Sequence, residues 1–216
     1  LEASITNSRK LQEHINFLYT HGALFTTYNG NLLFHGCIPF TEDGDFMEVT
    51  IAGKTNHGAA LMKQLDQELR EVYFNPRCEI DKADAANLMW YLWLGPDSPL
   101  FGKDKMTTFE RLFIADKATH KERTVPYYKL IKEKDICIKI IRDFDLDPSR
   151  GIILNGHVPV KIKDGESPIK GEGKLIVIDG GISKAYQKTT GIAGYTFIFN
   201  SWFMALSEHE PYHPLQ

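Results

Sequence analysis

Three apolar runs in this 216-residue sequence end on groups that can do chemistry. "NLLFHG" ends on His35-Gly36, "GIILNGH" on Asn155, Gly156 and His157, and "KLIVIDGG" on Asp179, Gly180 and Gly181. Neutral imidazoles suit divalent transition metals such as manganese or zinc, and a carboxylate adds the negative charge that they lack. A catalytic zinc site needs three protein ligands, which His35, His157 and Asp179 could supply. The reason to group residues so far apart is topological. In sheets flanked by helices, ligands collect beyond the carboxyl ends of the strands, and adjacent glycines let a backbone or ligand come close. Taken singly, each group has a plainer explanation. A histidine after a strand is usually hydrogen-bonded at a surface, and "DGG" after a strand is usually a turn.

Other chemical signatures are weak. "GEGKL" at 171–175 hints at a phosphate loop, but Leu175 stands where Ser or Thr would hold magnesium. The "GES" at 165–167 is followed by Pro168 and Ile169 and lacks the strand that feeds a nucleophile elbow. No CxxC occurs. Trp90, Tyr91 and Trp93 cluster without basic interleaving. They read as core or an inter-domain face rather than a nucleic-acid platform.

The elements that must position these groups are legible in outline. Residues 8–21 place Leu11, Ile15 and Leu18 on one helical face, with Ser8 as cap and Gly22 as stop. Two short runs flank Asn29-Gly30, a strong hairpin signal. "FMEVTIAG" (46–53) reads as one strand, and residues 57–74 as a helix with Leu61, Leu65, Leu69 and Val72 on one face. "TTFERLFIADKATH" opens with a capping box from Thr107 to Glu110. A further helix carries Ile136, Ile140 and Ile141. The final third is strand-rich, with "GYTFIFN" and "WFMALSE" flanking Asn200-Ser201 as another hairpin. No linker or repeat divides the chain. The expectation is one α/β domain with a helical, aromatic-rich insertion over 76–126.

The composition is 43% apolar and 25% charged, with a formal charge of -3. There is no basic excess to recruit nucleic acid, no apolar run near the ~20 residues that span a bilayer, and no apolar signal core in "LEASITNSRK". Three cysteines, Cys37, Cys78 and Cys137, form neither a disulfide framework nor a zinc pattern. That points to a reducing, cytoplasmic compartment. The absence of an initial Met and the patternless "EPYHPLQ" tail read as a piece of something longer.

"YNGNLLFHGCIP", "WYLWLGPDSPLFGKDKMTTFER", "NGHVPVK", "GESPIKGEGKLIVIDGG" and "SKAYQKTTGIAGYT" together resemble the bacterial class III fructose-1,6-bisphosphatases, of the calcineurin-like metallophosphoesterase superfamily. The resemblance runs through essentially the whole chain. It implies a β-sandwich flanked by helices, manganese as the usual metal, and hydrolysis of the 1-phosphate of fructose 1,6-bisphosphate in gluconeogenesis. A fainter likeness extends to the serine/threonine phosphoprotein phosphatases, where His35 in "FHGC" and His157 in "NGHV" match two ligands of the second metal. "WLGPD" is similar to that lineage's "WSDPD". Lys105 in "KDKM" is similar in place to its phosphate-binding arginine, although a lysine holds phosphate as a point charge rather than a fork. Asp179, Lys184, Tyr186 and Lys188 are further candidates for the substrate side of the site.

The superfamily's Asp-x-His, Gly-Asp-x-x-Asp-Arg and Gly-Asn-His motifs do not occur in these residues. The resemblance implies that they precede this segment and supply the bridging carboxylate, most ligands of the first metal and the leaving-group acid. The catalytic acid is therefore unassigned in this chain. The expected partners are a sugar bisphosphate and the upstream half of the same polypeptide, with homo-oligomerisation left open and no nucleic acid or membrane. The chain alone is expected to bind divalent metal weakly and not to turn over substrate. Two other readings stand beside this one. One is a non-catalytic interaction module with incidental histidines, and the other is a protein-serine/threonine phosphatase.

Overall fold

The computed structural model describes residues 4, 6–75, 82–181, 190–191 and 194–209. Its centre is a five-stranded mixed sheet in the order β1-β2-β5-β7-β6, formed by β1 (Phe25–Tyr28), β2 (Asn31–Phe34), β5 (Ile153–Asn155), β6 (Ile169–Lys170) and β7 (Leu175–Val177). β1 and β2 are the hairpin expected at Asn29-Gly30, with Tyr28 opposite Asn31. Both turn residues have positive φ, 51° and 76°, as a type I′ turn requires. β2, β5 and β7 then run parallel, with Phe34, Asn155 and Val177 in register. The three apolar runs that end on polar groups thus lie side by side and point the same way.

Parallel interior strands are covered on both faces, which is why these runs are continuously apolar rather than alternating. Leu32, Phe34, Ile153, Leu175 and Val177 face the main core, with Tyr127, Cys137, Ile140, Ile141 and Phe144. These last come from α5 (Tyr127–Leu130), α6 (Lys134–Asp143) and the residue that ends α6. Ile152, Leu154 and Ile176 face the other way, against Phe197 and Leu206. Those two belong to a hairpin of β8 (Tyr195–Phe199) and β9 (Met204–Glu208). Each fully buried aliphatic side chain here contributes about 1.5–3 kcal/mol relative to exposure.

α2 (Gly58–Phe74) is the expected second helix. Ala59 and Met62 enter the main core, while Leu61 and Leu65 pack with Leu92 of α3 (Lys82–Leu94). Asp143 Oδ2 accepts a 2.6 Å bond from Ala59 N and so caps the helix in place of His57. α1 (Arg9–His21) is capped by Ser8 and ends at Gly22 as expected. The Arg70 guanidinium, held by Asp66, binds the carbonyls of Tyr19 and Gly22.

Four expectations need correction. The 46–53 segment is not one strand. Phe46 bridges Phe40, and β3 (Val49–Ile51) folds back onto β4 (Lys54–Asn56) through Ala52-Gly53. Ala52 has φ 48°, a conformation that alanine seldom takes, so the turn carries no sequence signal. Thr107 does not close a capping box on α4 (Thr108–Phe113). Its amide and hydroxyl donate to Glu122 Oε1, both at 2.9 Å, in place of a Glu110 carboxylate, and its hydroxyl oxygen accepts from Arg111 Nε at 3.0 Å. The last hairpin turns through four residues rather than two, since Phe199 pairs with Met204. Asn200 Oδ1 accepts from Trp202 N and Phe203 N to close the loop.

Finally, of the two readings of the tryptophans, core falls and an inter-domain face stays open: Trp90 and Trp93 are 60% and 67% exposed. Residues 88–94 of α3 are apolar on every side, and packing on Leu61 and Leu65 of α2 covers only the face that carries Leu92. With Leu18, Leu24, Leu69 and Met89 they line an open apolar groove of about 800 Å³. Among the described residues no helix is long and apolar enough to cross a membrane.

Candidate metal centre

Where β2, β5 and β7 end, the chain leaves the sheet in three different ways. After Phe34, the backbone departs at His35 and Gly36, and Cys37 N bonds to Pro99 O at 2.7 Å. Only glycine fits at 36, because a Cβ there would lie 1.9 Å from Pro99 O. The loop bearing Pro99 is itself fixed. Ser98, fully buried, donates to Leu92 O at 2.7 Å and accepts from Leu100 N.

After Asn155, the chain passes through Gly156 to His157, which has φ 72°. That is an uncommon conformation for a non-glycine residue and one that concentrates at functional sites. The turn aims the imidazole back across the sheet end. His157 Nδ1 lies 3.1 Å from His35 Nε2, and His157 Nε2 lies 3.0 Å from Phe101 O. A carbonyl can only accept, so His157 carries its proton on Nε2, and its Nδ1 accepts the 3.1 Å bond from His35 Nε2–H. The two rings stand edge to face at 75° with centroids 4.9 Å apart. His35 is exposed and His157 half-buried, so the pair is open to solvent on one side. The His35 pKa is lowered, first by desolvation and then by His157, against an opposing pull from Asp179. The lowering favours the neutral imidazole, the form that ligates metals.

The donor set fits a cation. With metal–nitrogen bonds of about 2.0–2.1 Å, two adjacent ligands stand about 3.0–3.4 Å apart, and the observed separation is 3.1 Å. The Phe101 carbonyl holds the His157 ring as an outer partner would hold a metal-ligating histidine. A three-ligand zinc set is not assembled. Among the described residues no group of three or more His, Cys, Asp or Glu side chains could hold a metal. Asp179 Oδ1 instead accepts from Gly181 N at 2.8 Å, closing the turn that "DGG" suggests. Asp179 still acts electrostatically on His35, so it belongs to the neighbourhood without being a ligand.

Lys105 is exposed, four residues beyond Phe101 in the segment that reaches over His157. Its neighbour Lys103 is committed to Glu122 at 2.7 Å. Lys184, Tyr186 and Lys188 lie outside the described residues. The structure brings together the two histidines that sequence reasoning grouped, and adds Phe101, whose backbone carbonyl has no residue signature. "GEGKL" is no phosphate loop, since Leu175 is a fully buried strand residue. Cys37 and Cys137 are free thiols in the core, each pushed up to about 12, chiefly by burial. Cys78 lies outside the described residues.

The sequence profile of the Firmicute fructose-1,6-bisphosphatase family matches residues 1–216, and the chain belongs to that family. Among curated relatives, the class 3 fructose-1,6-bisphosphatase of Clostridium botulinum (strain Kyoto / Type A2) is 54% identical over 98% of this chain and 32% of its own length. The class 3 enzyme of Clostridium acetobutylicum is 54% identical over 97% of this chain and 32% of its own. The chain thus spans about a third of the length of these relatives. No solved structure matches it.

Proposed function

We propose that this chain is one part of a metal-dependent fructose-1,6-bisphosphatase, and that His35 and His157 supply two ligands to one of its divalent metals. The observation that carries the reading is the 3.1 Å opposition of His35 Nε2 and His157 Nδ1, with the His157 tautomer set by Phe101 O. On this reading the domain has the calcineurin-like architecture. The apolar packing of the β8–β9 hairpin on the five-stranded sheet supports it.

Paired metals clamp phosphate oxygens and lower the pKa of a bound water. This chain's own contribution is to hold two neutral nitrogens at a fixed spacing on a solvent-facing edge. Neither imidazole brings negative charge, so the carboxylate ligands and the leaving-group acid come from the remaining two thirds of the polypeptide. The same remainder covers the groove between α1 and α3, where Leu18, Trp90 and Trp93 are more than half exposed. Lys105 takes a substrate phosphate, with Lys184, Tyr186 and Lys188 as further contacts and Asp179 acting on His35. Manganese is the proposed metal, the substrate is fructose 1,6-bisphosphate and the product is fructose 6-phosphate. The setting is cytoplasmic, in keeping with the free buried thiols.

The test uses the full-length protein that contains these residues. Manganese-dependent phosphate release from fructose 1,6-bisphosphate, exceeding release from a phosphoserine peptide, is the expected result. Preference for the phosphopeptide would reassign the enzyme to the protein phosphatases. Activity that survives complete removal of divalent metal would end the reading.

A further inference from the structure

We propose that Asn155 is a positioning residue for the histidine pair, setting the separation of the two imidazoles by tying the exit of β2 to the exit of β5. The inference rests on the metal reading above and concerns a residue that does not itself touch the metal.

Asn155 is 1% exposed and sits at the carboxyl end of β5, on the face turned toward the helical core. Its Nδ2 lies 2.8 Å from Gly36 O, 3.1 Å from His35 O and 3.2 Å from Phe34 O. Three successive carbonyls, one of them belonging to His35 itself, therefore converge on a single amide group. This is where β2 leaves the ladder and its carbonyls lose their strand partners. Buried carbonyls need donors, and the side chain supplies two hydrogens to three oxygens in shared bonds. From the other end, Asn155 Oδ1 accepts from Tyr127 OH at 3.2 Å, and Tyr127 is fully buried. The amide is thus held at both ends and cannot rotate without leaving a buried group unpaired. Gly156 N adds a 3.1 Å bond to His35 O, and His157 follows directly.

The residue type is dictated by this arrangement. An aspartate would turn an oxygen toward three carbonyl oxygens, and a leucine would take this partner from the Phe34 and Gly36 carbonyls and the Tyr127 hydroxyl, leaving His35 O with Gly156 N alone. A metal site requires its ligands within about 0.5 Å of the productive geometry, and the shell behind them provides that. Asn155 joins the backbone of one ligand to the strand that delivers the other.

The experiment measures manganese(II) binding to the full-length protein by the electron paramagnetic resonance of free manganese. Wild type is compared with His157→Ala, Asn155→Ala and Tyr127→Phe, each checked for folding by circular dichroism. His157→Ala identifies the manganese equivalent in question. Asn155→Ala is expected to weaken that same equivalent by at least about tenfold, as outer-shell changes do, and to leave the others intact. Tyr127→Phe, which keeps the core volume, is expected to weaken it by a smaller factor. Wild-type affinity in both variants, or equal weakening of every equivalent, would overturn the inference. If Asn155→Ala does not fold, Tyr127→Phe alone decides. If His157→Ala loses no equivalent, the metal reading itself falls and this inference falls with it, an outcome distinct from failure of the two positioning variants alone.

Discussion

His157 Nδ1 and His35 Nε2 face each other at 3.1 Å although 122 residues separate them in the chain. Two parallel strands in register bring their carboxyl ends together, and a left-handed residue at 157 turns the second ring toward the first. In the full-length protein, His157→Ala is expected to abolish binding of one manganese equivalent and to lower phosphate release by at least about a hundredfold, as loss of a catalytic metal would. Metal titration and steady-state kinetics on the same preparation check both effects.

Gly36→Ala is expected to destabilise the fold by at least about 2 kcal/mol, because a Cβ cannot coexist with the Pro99 carbonyl without moving the backbone. Denaturant unfolding measures the loss. The displacement would also shift Cys37 N off Pro99 O, so manganese affinity should fall as well.

Much of this was open to reading from the residues, and the exceptions share a cause. The Asn29-Gly30 turn, the helices at 8–21 and 57–74, and the three polar strand ends follow from local chemistry or periodicity. The Ala52-Gly53 turn, the Glu122 hold on Thr107 and the Phe101 carbonyl do not. Each depends on a partner distant in sequence or on a backbone atom. Asn155 illustrates the boundary. Its place at a strand end was plain, but its role appears only once β2 lies beside it. The exposure of Trp90 and Trp93 was equally hidden, since an apolar helix looks the same in sequence whether or not its partner is present.

Glu122 makes a pH-dependent contribution. Its pKa is lowered from 4.5 to about 2, principally by the Lys103 hydrogen bond, with further help from the amide and hydroxyl of Thr107. A carboxylate whose pKa falls on folding stabilises the protein fully above its ordinary pKa, and that contribution is lost as pH falls through the folded value. Stability should therefore decline between pH 4.5 and about 2. Glu122→Gln should flatten that part of the profile, as followed by denaturation midpoints at successive pH values.

Cys37 and Cys137 should resist thiol reagents in the native state, since burial pushes both thiols up to about 12 and removes access. Mass mapping after treatment at pH 8 should find these two positions unlabelled until denaturant is added. Prompt labelling of either would contradict its placement in the core.

The groove between α1 and α3 should be covered in the full-length protein. Hydroxyl-radical footprinting is expected to find Trp90 and Trp93 protected at concentrations where the protein is monomeric. Full reactivity there, or protection lost on dilution, would show that the rest of the polypeptide does not cover them.

The most direct measurement is a crystal structure of the full-length protein with manganese, with anomalous data collected at the manganese edge. The account predicts a peak bonded to both His35 Nε2 and His157 Nδ1, with Phe101 O still bound to His157 Nε2. Manganese found elsewhere in an active enzyme, with the two imidazoles bonded only to each other, would contradict it.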